Sequence, residues 1–119
     1  MARNQDDHTK NIAFLMDKSG VWRLAPAFDV NYSYNPDGAW TSRHQMSLNG
    51  KQDRFSFQDL RDAANRFQLF RGKHLDSMVD QVDQALAKWA IHAKSAGVSA
   101  RRSDMLAKNF RRLGSLRSS

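Results

Sequence analysis

The sequence predicts a mainly α-helical domain with one small β-hairpin near its start. Three observations point there. Two short apolar runs, Ile12–Met16 and Val21–Leu24, flank the turn-forming Asp17-Lys18-Ser19-Gly20. From Gly50 onward apolar residues recur at helical rather than alternating spacing. Apolar content of 40% with three Trp and seven Phe suffices for one modest core in a 119-residue chain, which suits a single domain over 1–119.

The elements follow in order. In the hairpin, Gly20 can take the positive φ that a tight turn needs. Residues 31–55 form the long loop of the chain. In it, Tyr32 and Tyr34 precede the turn Pro36-Asp37-Gly38, and Ser42-Arg43-His44 leads into Met46-Ser47-Leu48-Asn49-Gly50. A loop of this length in a compact domain usually carries function, and Arg43 and His44 could meet phosphate or an acidic substrate.

Residues 56–114 read as helical. Ser56-Phe57-Gln58-Asp59 is a capping box, in which the Ser56 hydroxyl takes a free N–H and Asp59 reaches back. Leu60, Ala63, Ala64 and Phe67 continue that first helix, and Gly72 separates it from a longer one. Leu75, Met78, Val79, Val82, Leu86 and Trp89 give the longer helix a single apolar stripe that ends at Gly97. A third helix starts near Ser99, buries Leu106, Phe110 and Leu113, and stops with Gly114 as its C′ residue. Residues 115–119 are expected to fray.

The segment Asn4-Gln5-Asp6-Asp7-His8-Thr9-Lys10-Asn11, with Phe28-Asp29-Val30 beyond the hairpin, carries the chemistry. An Asp, an Asn five residues later, and a second Asp after a hairpin-length segment is the base-and-metal layout of a kinase catalytic loop. Asp6 has the right step to Asn11, whereas Asp7 is one residue short. Asp6 would therefore face the attacking hydroxyl. Asn11 and Asp29 would hold Mg²⁺, a hard ion that takes oxygen ligands and completes its shell with phosphate and water. His8 and Lys10 are the cations within reach of the transferred phosphate. A hairpin brings its two ends together, so Asn11 and Asp29 can approach one another. An EF-hand does not fit, because counting from Asn4 puts Thr9 where the loop glycine belongs. The four histidines are dispersed, which argues against zinc.

These residues, together with Phe14-Leu15-Met16, Trp22 to Val30 and Met46 to Lys51, resemble the C-terminal part of HipA-type serine/threonine kinases, toxins of bacterial toxin–antitoxin pairs. The resemblance implies the C-terminal lobe of a protein-kinase-like fold and an ATP- and Mg²⁺-dependent activity. In it Asp6 is the catalytic base, Asn11 and Asp29 are metal ligands, and residues 31–55 stand where kinases keep their activation segment. It also implies a small DNA-binding, HipB-like antitoxin as partner and a protein substrate, typically an aminoacyl-tRNA synthetase. Val30 stands where the eukaryotic D-F-G motif has Gly, in agreement with the HipA pattern. No G-x-G-x-x-G loop and no strand lysine precede Asp6. The nucleotide-gripping part is therefore expected N-terminal to Met1, in a longer kinase of which this is a fragment, inactive alone.

Composition bounds the alternatives. With no cysteine there is no disulfide framework. No apolar run approaches the roughly 18 residues of a membrane span, and the first residues are polar, which fits a cytoplasmic protein. The net charge of +7 is uneven: Lys94, Arg101, Arg102, Lys108, Arg111, Arg112 and Arg117 face Asp104 alone after residue 90. That basic C-terminal helix reads either as a solubilising surface with last-turn arginines that complement the helix dipole or as an anion-facing surface for DNA backbone, tRNA or an acidic protein, and the family resemblance implies the DNA contact. It also leaves a second reading open, a small basic helical nucleic-acid-binding module without catalysis.

Overall fold

The computed structural model describes residues 1–67 and 73–118. Strands β1 (Phe14–Met16) and β2 (Trp22–Leu24) follow a 3₁₀ turn at Thr9–Asn11. Five helices come after the long loop: α1 (Phe57–Phe67), α2 (Lys73–Ala87), α3 (Trp89–Ser95), α4 (Ala100–Ala107) and α5 (Leu113–Arg117). The architecture is thus mostly helical with one two-stranded antiparallel sheet, as the sequence predicts.

The hairpin pairs Phe14 with Leu24, Leu15 with Arg23 and Met16 with Trp22. Asp17 builds the turn by accepting the N–H groups of Ser19 (2.9 Å) and Val21 (3.1 Å) on one carboxylate oxygen. Its other oxygen takes the Arg23 guanidinium at 3.0 Å. Gly20 adopts φ +83°, where a Cβ would strain the backbone. Every strand residue is exposed, on both faces of the sheet. Two strands alone cannot bury both faces.

The capping box at Ser56 forms as expected. The Asp59 N–H donates to the Ser56 hydroxyl (3.2 Å), and the Ser56 N–H donates to the Asp59 carboxylate (2.8 Å). Asp59 also receives Lys51 at 2.8 Å and Asn49 at 3.0 Å, so one buried carboxylate ties the end of the loop to the start of α1. Hydrogen bonds from Lys51, the Ser56 N–H and Asn49 hold its pKa far below the usual carboxylate range. The core then gathers Phe57 of α1, Val79 of α2 and Leu116 of α5, with Met1, Leu60, Leu75 and Leu113 packed around them.

Several expectations for the helical part are revised. The long second helix is not continuous to Gly97, because Lys88 leaves the helical ladder at ψ 8° and separates α2 from α3. The indole N–H of Trp89 donates to the Ser103 carbonyl (3.1 Å), and its ring stands edge-on to Phe110 at 5.3 Å. These contacts orient α3 toward α4 rather than along α2. In the stripe, Val79 is buried, but Met78 and Val82 are about half exposed and line a cleft of about 360 Å³ together with Leu75 and Leu116. Gly72 and the Phe67 side chain lie outside the described residues.

The third helix starts as predicted. The Ser99 hydroxyl accepts the Arg102 N–H at 3.4 Å, and Gly97 takes φ +73° before it. It ends at Ala107, however, not at Gly114, which instead lies within α5. Where fraying is expected from Ser115, the described chain is helical through Arg117. Asp83 accepts the Leu113 N–H (2.8 Å) and both Arg112 nitrogens (2.6 and 2.8 Å), which starts α5 and sinks Leu116 into the core. No described helix is long and apolar enough to cross a membrane.

Candidate functional site

The loop from Arg3 to Asn11 is held from three directions. Its backbone enters through Arg3, in the left-handed region at φ +64°, whose guanidinium stacks 3.7 Å over the Tyr34 ring. The Ser33 hydroxyl then accepts the N–H groups of Gln5 (2.7 Å) and Asp6 (2.9 Å). Gln5 is completely buried beneath the loop. At the far end, the Asn11 side-chain amide donates to the Asp6 carbonyl at 3.0 Å and closes the segment on itself.

The predicted site residues fall as follows. Asp6 is half-buried, with the His8 imidazole 3.9 Å from its carboxylate, an ion-pair distance rather than a hydrogen bond. Lys10 is exposed within the 3₁₀ turn. Asn11 spends its N–H₂ group inward on Asp6, and its oxygen is the group left to a cation. The hairpin does bring its ends together: the Ala25 N–H donates to the Ala13 carbonyl (2.9 Å), and Asn11 shares a hollow of about 150 Å³ with Pro26, Ala27 and Phe28. Asp29 follows that wall directly. It is exposed, sits at φ +52°, and accepts the Asn31 amide on one carboxylate oxygen at 2.9 Å. A non-glycine residue held at positive φ is uncommon and is a recurrent feature of functional loops.

The two basic residues of the loop part ways. Arg43 is exposed. His44 is half-buried and turned inward: its Nδ1 lies 2.7 Å from the Asp7 carboxylate, while its ring packs against Phe55 at 5.1 Å. Asp7 further accepts the N–H groups of Gln45 (2.7 Å) and Met46 (3.4 Å). Burial pulls the Asp7 pKa up, but the hydrogen bonds from His44 and Gln45 outweigh it and hold it below the ordinary value. Sequence reasoning treated Asp7 only as the neighbour of Asp6 and passed over Ser33. The doubled Asp was the one available signal.

The oxygen-bearing groups form a pair of prospective ligands rather than a cage. Among the described residues no cluster of three His, Cys, Asp or Glu side chains could hold a metal. Two protein oxygens with phosphate and water are compatible with Mg²⁺, which favours few protein ligands.

The basic C-terminal set is divided. Arg111 bonds Asp53, Arg112 bonds Asp83, and Arg117 lies 5.4 Å over the Phe57 ring, so these three serve the fold. Arg101 and Arg102 of α4 and Lys108 at its C-terminal end remain around a hollow that also holds Asp104.

The fold and loop define a small helical domain that presents a backbone-clamped acidic loop beside a hairpin. The family model for the HipA-like C-terminal domain matches residues 1–90, and the chain belongs to that family. No curated protein and no solved structure matches it. The match covers the loop, the hairpin, α1 and α2, and leaves most of α3 together with α4 and α5 outside.

Proposed function

We propose that this domain supplies the catalytic base and the metal ligands for phosphoryl transfer from ATP to a serine or threonine of a protein, as the C-terminal lobe of a HipA-like kinase. One observation carries the reading. Asn11 donates its amide to the Asp6 carbonyl, which fixes the five-residue D-x-x-x-x-N step, and Asn11 lines one hollow with Pro26, Ala27 and Phe28, the residues that lead into Asp29. In this role the Asp6 carboxylate accepts the proton of the attacking hydroxyl. His8 beside it and the exposed Lys10 offer positive charge to the transferred phosphate. Asn11 and Asp29 are the residues that would hold Mg²⁺, and the ion when bound neutralises charge on the nucleotide phosphates.

The family supports two further proposals: a HipB-like DNA-binding antitoxin as partner, and a protein substrate such as an aminoacyl-tRNA synthetase. The exposed apolar faces of the hairpin, with Trp22, Leu24 and Phe14 each more than 60% exposed, favour a domain that works against another protein surface. The nucleic-acid-module reading loses Arg111, Arg112 and Arg117 to internal contacts and rests on α4 alone.

The deciding experiment is phosphotransfer to protein by a nucleotide-binding form that carries this domain, compared with its Asp6→Asn variant. Loss of transfer with the fold and nucleotide binding intact supports the assignment. Undiminished transfer would refute it.

A further inference from the structure

Asp7 has no place in the phosphotransfer layout, yet both of its carboxylate oxygens are committed. One meets His44 Nδ1 at 2.7 Å, and the other accepts the Gln45 N–H at 2.7 Å and the Met46 N–H at 3.4 Å. The receiving segment is itself fixed. The His44 N–H donates to the Gln52 carbonyl (3.0 Å), the Gln52 amide donates to the Gln45 carbonyl (3.0 Å), and the Gln45 amide bonds the Trp40 carbonyl. The pair is largely withdrawn from water, with side chains 26% (Asp7) and 16% (His44) exposed. It is therefore screened less than a surface ion pair.

We propose that Asp7 is a positioning residue. By locking the residue after Asp6 onto segment 44–46, it sets the direction of the Asp6 carboxylate and makes the base depend on the order of that segment. This rests on Asp6 being the base. The geometry closes around Asp6: its N–H is held by Ser33, its carbonyl by Asn11, and the next side chain by His44, Gln45 and Met46. Two of these three anchors come from the loop that follows Asp29. A polypeptide laid along exposed Arg43 and Met46 would then act on the base through Asp7, without touching it.

Asp7→Ala, His44→Ala and His44→Gln test this together. His44→Gln keeps a neutral N–H donor for Asp7, so it serves as the conservative variant. In a phosphotransfer-competent protein carrying the domain, Asp7→Ala should lower kcat roughly 10- to 100-fold with the nucleotide KM little changed, as expected of a misplaced catalytic group. His44→Gln should recover most of the rate that His44→Ala loses. In the 119-residue chain, backbone amide resonances of Asp6 and Asn11 should move with Asp7→Ala alongside those of Gln45 and Met46. Shifts confined to residues 44–46, or equal losses for the two His44 variants, would overturn the proposal. If Asp7→Ala unfolds the chain, the His44 pair decides alone. Should Asp6→Asn prove fully active, the kinase reading fails, and the amide shifts still show whether the latch exists.

Discussion

Asn11 donates its side-chain amide to the backbone carbonyl of Asp6 at 3.0 Å, which closes the segment between them on itself. The bond converts a spacing in the sequence into a geometry. It uses the Asn11 amide nitrogen and the Asp6 carbonyl, leaving the Asn11 side-chain oxygen and the Asp6 carboxylate, with His8 3.9 Å away, outside that bond.

The site residues should separate by role. Removing a positioned base costs roughly 10²- to 10⁴-fold in rate, so Asp6→Asn should fall in that range with nucleotide affinity retained. Asp29→Ala should instead weaken Mg²⁺-dependent nucleotide binding as well as turnover, since metal charge stabilisation is worth several kcal/mol. Asn11→Ala should do the same and also loosen the loop, because it deletes the bond to Asp6. Nucleotide binding and turnover measured across a Mg²⁺ titration separate these outcomes, and normal behaviour of Asp29→Ala would remove it from the ligand set.

Asp83 controls the last helix. Bonds from Arg112, followed by the Leu113 N–H, draw its pKa down to about 2. A depressed carboxyl pKa stabilises the fold above the unfolded-state value, near 3.9, and that contribution disappears as pH falls through the folded value. Acid unfolding of the wild type between about pH 4 and pH 2 should therefore include the release of α5. Asp83→Asn should cost about 1 kcal/mol at neutral pH, the usual scale of a lost helix cap, and should flatten the stability profile in that acid window. Denaturant melts at several pH values measure both effects, and identical profiles for the two proteins would refute the assignment.

The hairpin should tolerate charge. Leu15 and Trp22 are 57% and 65% exposed, and surface substitutions away from special features usually change stability by no more than about 0.5 kcal/mol. Leu15→Lys and Trp22→Glu should thus leave the melting temperature nearly unchanged while lowering self-association in concentrated solution. A large loss of stability in either variant would mean that the strands carry packing in solution that their exposure here denies.

Local chemistry was legible in the sequence, and long-range chemistry was not. The Ser56–Asp59 box, the Gly20 turn and the Ser99 cap are all complete within a few residues, so spacing alone revealed them. The start of α5 depends on a carboxylate 30 residues upstream, and the break at Lys88 accompanies a Trp89 bond to Ser103. Neither leaves a mark in local periodicity. At the candidate site, Asp6, Asn11 and Asp29 stood out by their spacing alone. Asp7 and Ser33 did not, since their partners lie 27 to 39 residues away along the chain. Met78 and Val82 misled because a helical stripe shows which face is apolar but not whether anything covers it.

The basic C-terminal region divides into two groups that mutation should distinguish. Arg111 and Arg112 are bound to Asp53 and Asp83, so replacing them with Gln removes internal ties and should lower stability. Arg101 and Arg102 are exposed on α4 beside Lys108, so their replacement should leave stability unchanged. If α4 meets nucleic acid backbone, each phosphate contact contributes roughly −0.9 to the slope of log K against log salt on duplex DNA. Arg101→Gln with Arg102→Gln should then flatten that slope by up to about 2 for the chain on duplex DNA, while Arg111→Gln leaves the slope alone and shifts only the melting temperature. Salt-dependent binding of this double variant and of Arg111→Gln tests both halves. An unchanged slope in the double variant would return the α4 arginines to a solvated surface, and a reduced slope in Arg111→Gln would show that its bond to Asp53 gives way to phosphate.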